Sequence, residues 1–562
     1  MVVSNSIALL GPRISGKAVG AVAEYQGSEM LSMVFRYCME LVGVYLFTVV
    51  LSYILAVMMI HISQKVVYSM RKEVFNHLME LPISYFDTHA TGEIISHISY
   101  DIDTVNASLS NDLLQVCASV ITVVGSLIMM IAISPPLVLI FAVTVPISLL
   151  VTRFKSKKIR PLYRERSGTL GDLNGYAEEM LSGQKTIKVY NKEKIVAGKF
   201  DKKNIKASDA YYKAEYHGII MGPLVGFINN MSISLVVMFG GILYMFTLNK
   251  GAAAVGIFAL GLEGITAFVQ YSRKFSGPIN EFANIMNDIQ SAFAASERVF
   301  TLIDEKPEII DTEGAYNIDR VEGNVELSHV NFAYVPGKTI IKDLSLKAEK
   351  GKIIAIVGPT GAGKTTIINL LMRFYDIDSG QIFVDGHEIR SLTRSCLRKS
   401  YIMVLQDTWL FNGTIFDNIT YGKENATMDE VVAAAQAAKI HNFIERLPNG
   451  YNTVLSDDGI NISKGQKQLI TIARAMLPDA SMLILDEATS NVDSRTEMKI
   501  QSAMYKLMEG KTCFVIAHRL STIQNADLIL VVKDGNVIEQ GNHEQLIAMK
   551  GFYSSLYNSQ FD

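Results

Sequence analysis

Gly358-Pro359-Thr360-Gly361-Ala362-Gly363-Lys364-Thr365-Thr366 has the make-up of a phosphate holder. It fits G-x-x-x-x-G-K-[ST], follows the apolar run Ile353–Val357 and leads into a second apolar run ending at Phe374. Strand, loop and helix thus come in the order that the motif needs. The glycines let backbone N–H groups wrap phosphate oxygens, and a helix N-terminus favours their negative charge. Lys364 is placed to reach the β- and γ-phosphates, and Thr365 to put a hydroxyl on Mg2+. A further apolar run, Met482–Leu485, ends in Asp486-Glu487 and reads as a buried parallel strand. Asp486 is placed to hold Mg2+ through water. Glu487, one residue on, faces the other way along a strand. That position suits a group that polarises the water attacking the γ-phosphate. A strand-end acid alone is often only solvated; a phosphate loop in the same half makes phosphoryl transfer to water the better reading.

The elements that must position these residues fall into two halves. The 562 residues are 49% hydrophobic and 19% charged, an average over unlike parts. No charge occurs in 41–60, 113–152 or 218–249, and only Glu263 in 251–272. A membrane-crossing helix needs about 20 apolar residues. The run 113–152, at about 1.5 Å per residue, is roughly twice the bilayer core. Pro135-Pro136 divides it, which predicts helices near 113–133 and 136–152. Five full spans result. Residues 1–10 end in Ile7-Ala8-Leu9-Leu10 before Gly11-Pro12 and read as the tail of a sixth span whose beginning is absent. They lack the basic start and cleavage site of a signal peptide.

Arg153, Lys155, Lys157, Lys158, Arg160, Arg164 and Arg166, with Lys65, Arg71 and Lys72, mark cytoplasmic segments. The polar stretches 63–112 and 153–217 are too long for ordinary loops and read as helices that extend the spans into water. Glu263 lies near the start of its run, at the outer interface. The expected organisation is a membrane domain over 1–305, a linker over 306–320 and an ATPase domain over 321–562. A net charge of −3 gives no nucleic-acid footprint. Cys38, Cys117, Cys396 and Cys513 have no metal-ligand spacing and read as apolar fillers in a reducing compartment.

Ile462-Ser463-Lys464-Gly465-Gln466, ahead of the acidic strand, resembles the Leu-Ser-Gly-Gly-Gln signature of ATP-binding cassette (ABC) proteins, with Lys464 where Gly is usual. Tyr334, Gly358–Thr366, Gln406, Ser463–Gln466, Asp486-Glu487, Asp493 and His518 stand in that family's order. The membrane half resembles exporters that fuse one six-helix membrane domain to one α/β P-loop ATPase domain. Leu81–Asp87, Gly92-Glu93 and Asp101-Ile102-Asp103 are similar to their first cytoplasmic loop, and Tyr190–Glu193 occupies the place of the second coupling helix.

The resemblance implies roles. Tyr334 stacks on adenine, Gln406 links Mg2+ and the attacking water to the membrane domain, His518 bonds the γ-phosphate, and Asp493 belongs to the D-loop. Ser463, Lys464, Gly465 and Gln466 meet the ATP of a partner, so two chains are needed. The implied ligands are ATP and Mg2+, the latter on Thr365, Gln406 and Asp486. Lys464 disturbs the signature if its backbone has a positive φ, and it favours a heterodimer with a second ABC half-transporter over a homodimer. The run Asp486–Asp493 and Lys506–Thr512 resemble the Glu-bearing half of multidrug-type heterodimers. The implied function is ATP-driven export of a drug, lipid or peptide across the cytoplasmic membrane, with the ATPase domain in the cytoplasm. The alternative is an ABC channel or regulatory subunit gated by ATP. A soluble ABC ATPase of DNA repair is excluded by the uncharged runs.

Overall fold

The structure is a computed structural model that describes residues 1–250, 256–308, 311, 314–405, 408–455, 462–486, 493–516 and 523–559. The chain forms two compact units. One is Met1–Met79 with Gly92–Glu305; the other is Lys306–Asp562 with Glu80–Thr91. The second therefore takes twelve residues from within the stretch read as membrane domain.

The first unit is helical. Among the described residues, Gly27–Glu80, Thr91–Ile133, Pro135–Ser182 and Glu193–Asn249 are long and apolar enough to cross a membrane. The polar stretches 63–112 and 153–217 continue the apolar runs as helix. Ser134, at φ −159°, breaks the 113–152 run, and Pro135 opens the next helix where its missing N–H costs nothing.

Two expectations need correction. The Gly11-Pro12 pair does not end the first segment. Helix Val2–Ala8 breaks at Leu9-Leu10 and resumes over Gly11–Glu24. Pro12 has no N–H, so the Ala8 carbonyl loses its helical donor. Lys274 Nζ donates to Ala8 O at 3.2 Å, and the Tyr271 hydroxyl to Leu9 O at 2.5 Å. The run 251–272 is not one helix either. Its first five residues lie outside the described ones, Gly256–Phe258 is a 3-10 turn, and the helix starts at Leu262. Glu263 sits in that helix's first turn, where a carboxylate meets the positive end of the dipole.

Helix Gly11–Glu24 lies close on helix Leu262–Ile303 because Gly16 and Gly20 face it. A Cβ on Gly16 would come within 2.5 Å of the Glu263 carbonyl oxygen. Small residues four apart allow that approach. Towards the other end of Leu262–Ile303, buried Asp101 accepts from Arg298 at 2.5 and 3.0 Å and pairs with His97 Nδ1 at 2.7 Å.

The second unit is α/β. We label its strands β1 Val325–Phe332, β2 Ile341–Ala348, β3 Ile353–Val357, β4 Ser379–Val384, β5 His387–Glu388, β6 Tyr401–Val404, β7 Gly413–Thr414, β8 Val454–Leu455, β9 Met482–Asp486, β10 Thr512–Ile516, β11 Leu528–Lys533 and β12 Asn536–Gly541. The main sheet runs β12-β11-β3-β10-β9-β6, parallel except for the edge strand β12. Strand residues alternate between two buried clusters. Ile354, Ile356, Ile484 and Phe514 join one, with the antiparallel sheet β2-β1-β4-β5 and the helix Lys364–Leu371. Ala355, Val357, Leu485 and Val515 join the other, with the helices Lys464–Met476 and Ser494–Met508. Both faces being covered is why these strands read as unbroken apolar runs.

Candidate functional site

The C-terminal ends of β3, β10, β9 and β6 lie side by side, with Ile356, Ile516 and Asp486 in register across three of them. In an open parallel sheet that edge is where ligands bind. Each strand end there leads to an expected site residue: β3 to the phosphate loop, β10 towards His518, β9 to Asp486 and Glu487, β6 towards Gln406. Gln406, Glu487 and His518 themselves lie outside the described residues.

The loop's backbone needs glycine where φ is +155° at Gly358, +81° at Gly361 and +104° at Gly363. At Gly358 a Cβ would also collide with the Val532 carbonyl oxygen, whereas at Gly361 it would meet nothing within 4 Å. Gly361 thus serves conformation and leaves the cradle open. Pro359, Thr360 and Gly361 are exposed at its mouth, while Ala362 and Gly363 are buried beneath them. Lys364 is buried, with Nζ donating to Gly358 O at 2.9 Å and Pro359 O at 3.0 Å. Burial pushes its ammonium below the usual range, and the nearby charge of Asp486 opposes that shift. A buried cation among backbone dipoles fits a polyphosphate that restores its counter-charge. Thr365 is exposed beside Lys364, and Thr366 is buried behind it.

Tyr334 is 43% exposed. Its hydroxyl donates to Thr366 Oγ1 at 3.2 Å and accepts from Asn369 Nδ2 at 3.3 Å. Phe332 and Tyr375 pack edge-on to its ring, with centroids 4.9 Å away. Tyr375 carries no sequence signal of its own, because a tyrosine just after an apolar run looks like core.

Ser463 caps the helix Lys464–Met476 in a reciprocal box. Its hydroxyl accepts from Gln466 N at 3.3 Å, and Gln466 Oε1 accepts from Ser463 N at 2.9 Å. Lys464 is the first helical residue and is exposed, with no positive φ. The positive φ that would strain a non-glycine residue there does not occur. Gly465 is buried in the same turn. The N-termini of this helix and of the phosphate-loop helix belong to elements packed on opposite faces of the sheet. Asp493 caps Ser494–Met508, accepting from Thr496 N at 2.9 Å.

Comparison with known proteins places this arrangement. The profile of the ABC transporter transmembrane region matches residues 1–262, and that of the ABC transporter domain matches residues 341–490. An uncharacterized ABC transporter ATP-binding protein of Bacillus subtilis, YfiC, is 43% identical over all of this chain and 91% of its own length. The chain belongs to the ABC transporter family. A fatty acid ABC transporter ATP-binding/permease protein of Mycobacterium bovis is 46% identical over 87% of this chain and 76% of that protein. An ATP-dependent lipid A-core flippase of Syntrophus aciditrophicus is 33% identical over 91% of this chain and 83% of the flippase. A solved structure of a bacterial Atm1-family ABC exporter with ATP bound superposes with a TM-score of 0.77. It is 28% identical, over 100% of this chain and 96% of that one. This ABC exporter is a multi-pass membrane protein with a cytoplasmic ATPase domain, and it couples ATP hydrolysis to transport.

Proposed function

We propose that this chain is one half of a dimeric exporter that moves a lipid-like amphipathic molecule across the cytoplasmic membrane. The observation that carries the reading is the row of parallel strand ends bearing the phosphate loop and Asp486, in a chain whose described residues include four long apolar helices. Relatives whose names specify a fatty acid and lipid A-core support the lipid class over drugs or peptides.

In this reading Lys364 and the N–H groups of Gly361–Thr365 hold the β- and γ-phosphates, and Tyr334 stacks on adenine. Thr365, Asp486 and Gln406 form an all-oxygen set that suits Mg2+, which when bound offsets phosphate charge. Glu487 orients the attacking water, and His518 steadies the γ-phosphate. ATP held between two subunits closes them, and hydrolysis lets them part.

The signature helix starts on the far face of the sheet from the chain's own phosphate loop, which supports its serving a partner's ATP. Lys464 brings a cation to that contact and supports a second, different ABC half-transporter. Affinity purification of the chain from its native membrane checks this. A second ABC half is the expected co-purifying protein; the chain alone, as an active homodimer, would refute the heterodimer. Long-chain fatty acid in reconstituted vesicles is expected to raise Mg-ATPase activity, and flat activity across acyl lipids would refute the substrate class.

A further inference from the structure

Tyr375 closes a path between Tyr334 and the first cytoplasmic helix, Ile83–Thr88. The helix Lys364–Leu371 ends with Arg373 at φ +51°, and Phe374 N donates back to Asn369 O at 2.9 Å. This is a left-handed helix end, which usually takes glycine. Buried Arg373 holds it by donating to Asp376 Oδ1 at 2.9 Å and Ile389 O at 3.1 Å. The turn delivers Tyr375 to a fixed place. Its ring packs against Tyr334 and, with centroids 5.7 Å apart, against Phe332. Its hydroxyl donates to an Asp87 carboxylate oxygen. Asp87 lies on the short helix that joins Gly27–Glu80 to the helix starting at Thr91.

We propose that Tyr375 is a positioning residue for the adenine-stacking Tyr334, and that Asp87, by accepting its hydroxyl, makes the first cytoplasmic helix a determinant of ATP affinity. Edge-to-face rings constrain each other's tilt, so anchoring one restricts the other. Tyr334 is also held by Thr366, inside the phosphate-loop helix. Asp87, Tyr375, Tyr334 and Thr366 then form one contiguous chain from the cytoplasmic helix to the nucleotide cradle. Burial and the Asp87 carboxylate both push the Tyr375 phenol above its ordinary pKa, so it stays a donor at neutral pH. The proposal rests on the stacking role given to Tyr334.

The test is steady-state Mg-ATPase of the full-length protein in lipid vesicles, read as KM for ATP and kcat separately. Tyr375→Phe and Asp87→Ala each raise KM by about two- to tenfold, the range a single hydrogen bond spans, with kcat kept. The double variant is no worse than either single, because both remove the same bond. Asp87→Asn, whose amide oxygen still accepts, restores the wild-type KM. Tyr375→Leu, which also removes the ring, raises KM further. Multiplying effects in the double variant, or a loss of kcat at unchanged KM, overturns the proposal. If Tyr334→Ala raises KM while Tyr375→Leu does not, only this proposal falls. If Tyr334→Ala leaves KM unchanged, the stacking role falls first.

Discussion

A lysine at the first helical position after Ser463 keeps ordinary helical dihedrals. In its proposed role against a partner's ATP, it therefore acts as a cation within one turn of a helix N-terminus. Lys464→Glu is expected to raise the KM for ATP of the assembled exporter. It should barely move the thermal midpoint, since exposed substitutions usually shift stability by under about 0.5 kcal/mol. Kinetics paired with a melt separate those effects; equal losses in both would mean misfolding. The type of residue at 464 was legible in the sequence, but its φ was not, because the family's Gly there does not reveal whether the turn uses positive φ. Cysteine is a similar case. Cys513 is buried in β10, and burial pushes its thiol up to about 12. The thiolate is the nucleophile, so maleimide at pH 8 should leave Cys513 unlabelled until the protein is unfolded, as peptide mass spectrometry would show. Cys38 and Cys117 are exposed on membrane-unit helices, where a side chain need not turn inward to be among apolar neighbours.

Elements were legible where the period was long and the residues uniform. The turn between the runs 113–133 and 136–152 emerges within a residue or two of its expected place, because an uncharged stretch split by Pro135 leaves one place for it. The break before Gly11-Pro12 was not legible as a bend within a continuing segment. Its satisfying donors, Tyr271 and Lys274, come from more than 250 positions away in sequence. The close approach at Gly16 is equally non-local. Gly16→Ala inserts a methyl against the Glu263 carbonyl, and overpacking of this kind costs about 1–3 kcal/mol. A lowered melting temperature in detergent is the expected result, and an unchanged one would show that the two helices slide apart freely.

Helix caps give the ATPase unit an acid-sensitive component. The backbone N–H and the hydroxyl of Thr496 hold the Asp493 carboxyl below its ordinary range, and the Thr414 hydroxyl does the same for Asp417. The folded pKa values lie below the unfolded ones. Their stabilisation is therefore complete above the unfolded pKa and is lost as pH falls through the folded one. The melting temperature should decline as pH drops below about 4, and Asp493→Asn, a cap that does not titrate, should make the decline shallower.

At the scale of the whole molecule, two compositions made two units visible: apolar runs without charge, and a soluble α/β pattern with phosphate-loop chemistry. Invisible from composition was that residues 80–91 belong with the ATPase unit. The reason is specific: Glu308 N donates to Glu80 O at 2.7 Å, and Tyr375 donates to Asp87. Neither bond leaves a pattern in either segment. The phosphate loop, Gln406, Asp486-Glu487 and His518 were legible because each follows an apolar strand in the sequence. The adjacency of those strand ends depends on the strand order β3-β10-β9-β6, which no local pattern encodes.

In the proposed function, hydrolysis at Glu487 drives lipid-like cargo across the bilayer. The most direct measurement is ATP-dependent movement of a fluorescent long-chain fatty acid in vesicles containing the purified exporter, with wild type and Glu487→Gln compared. Sustained movement with Mg-ATP is expected for wild type, and none beyond leak for Glu487→Gln. Equal movement by both, or ATP-gated flux that simply runs down the gradient, would contradict it.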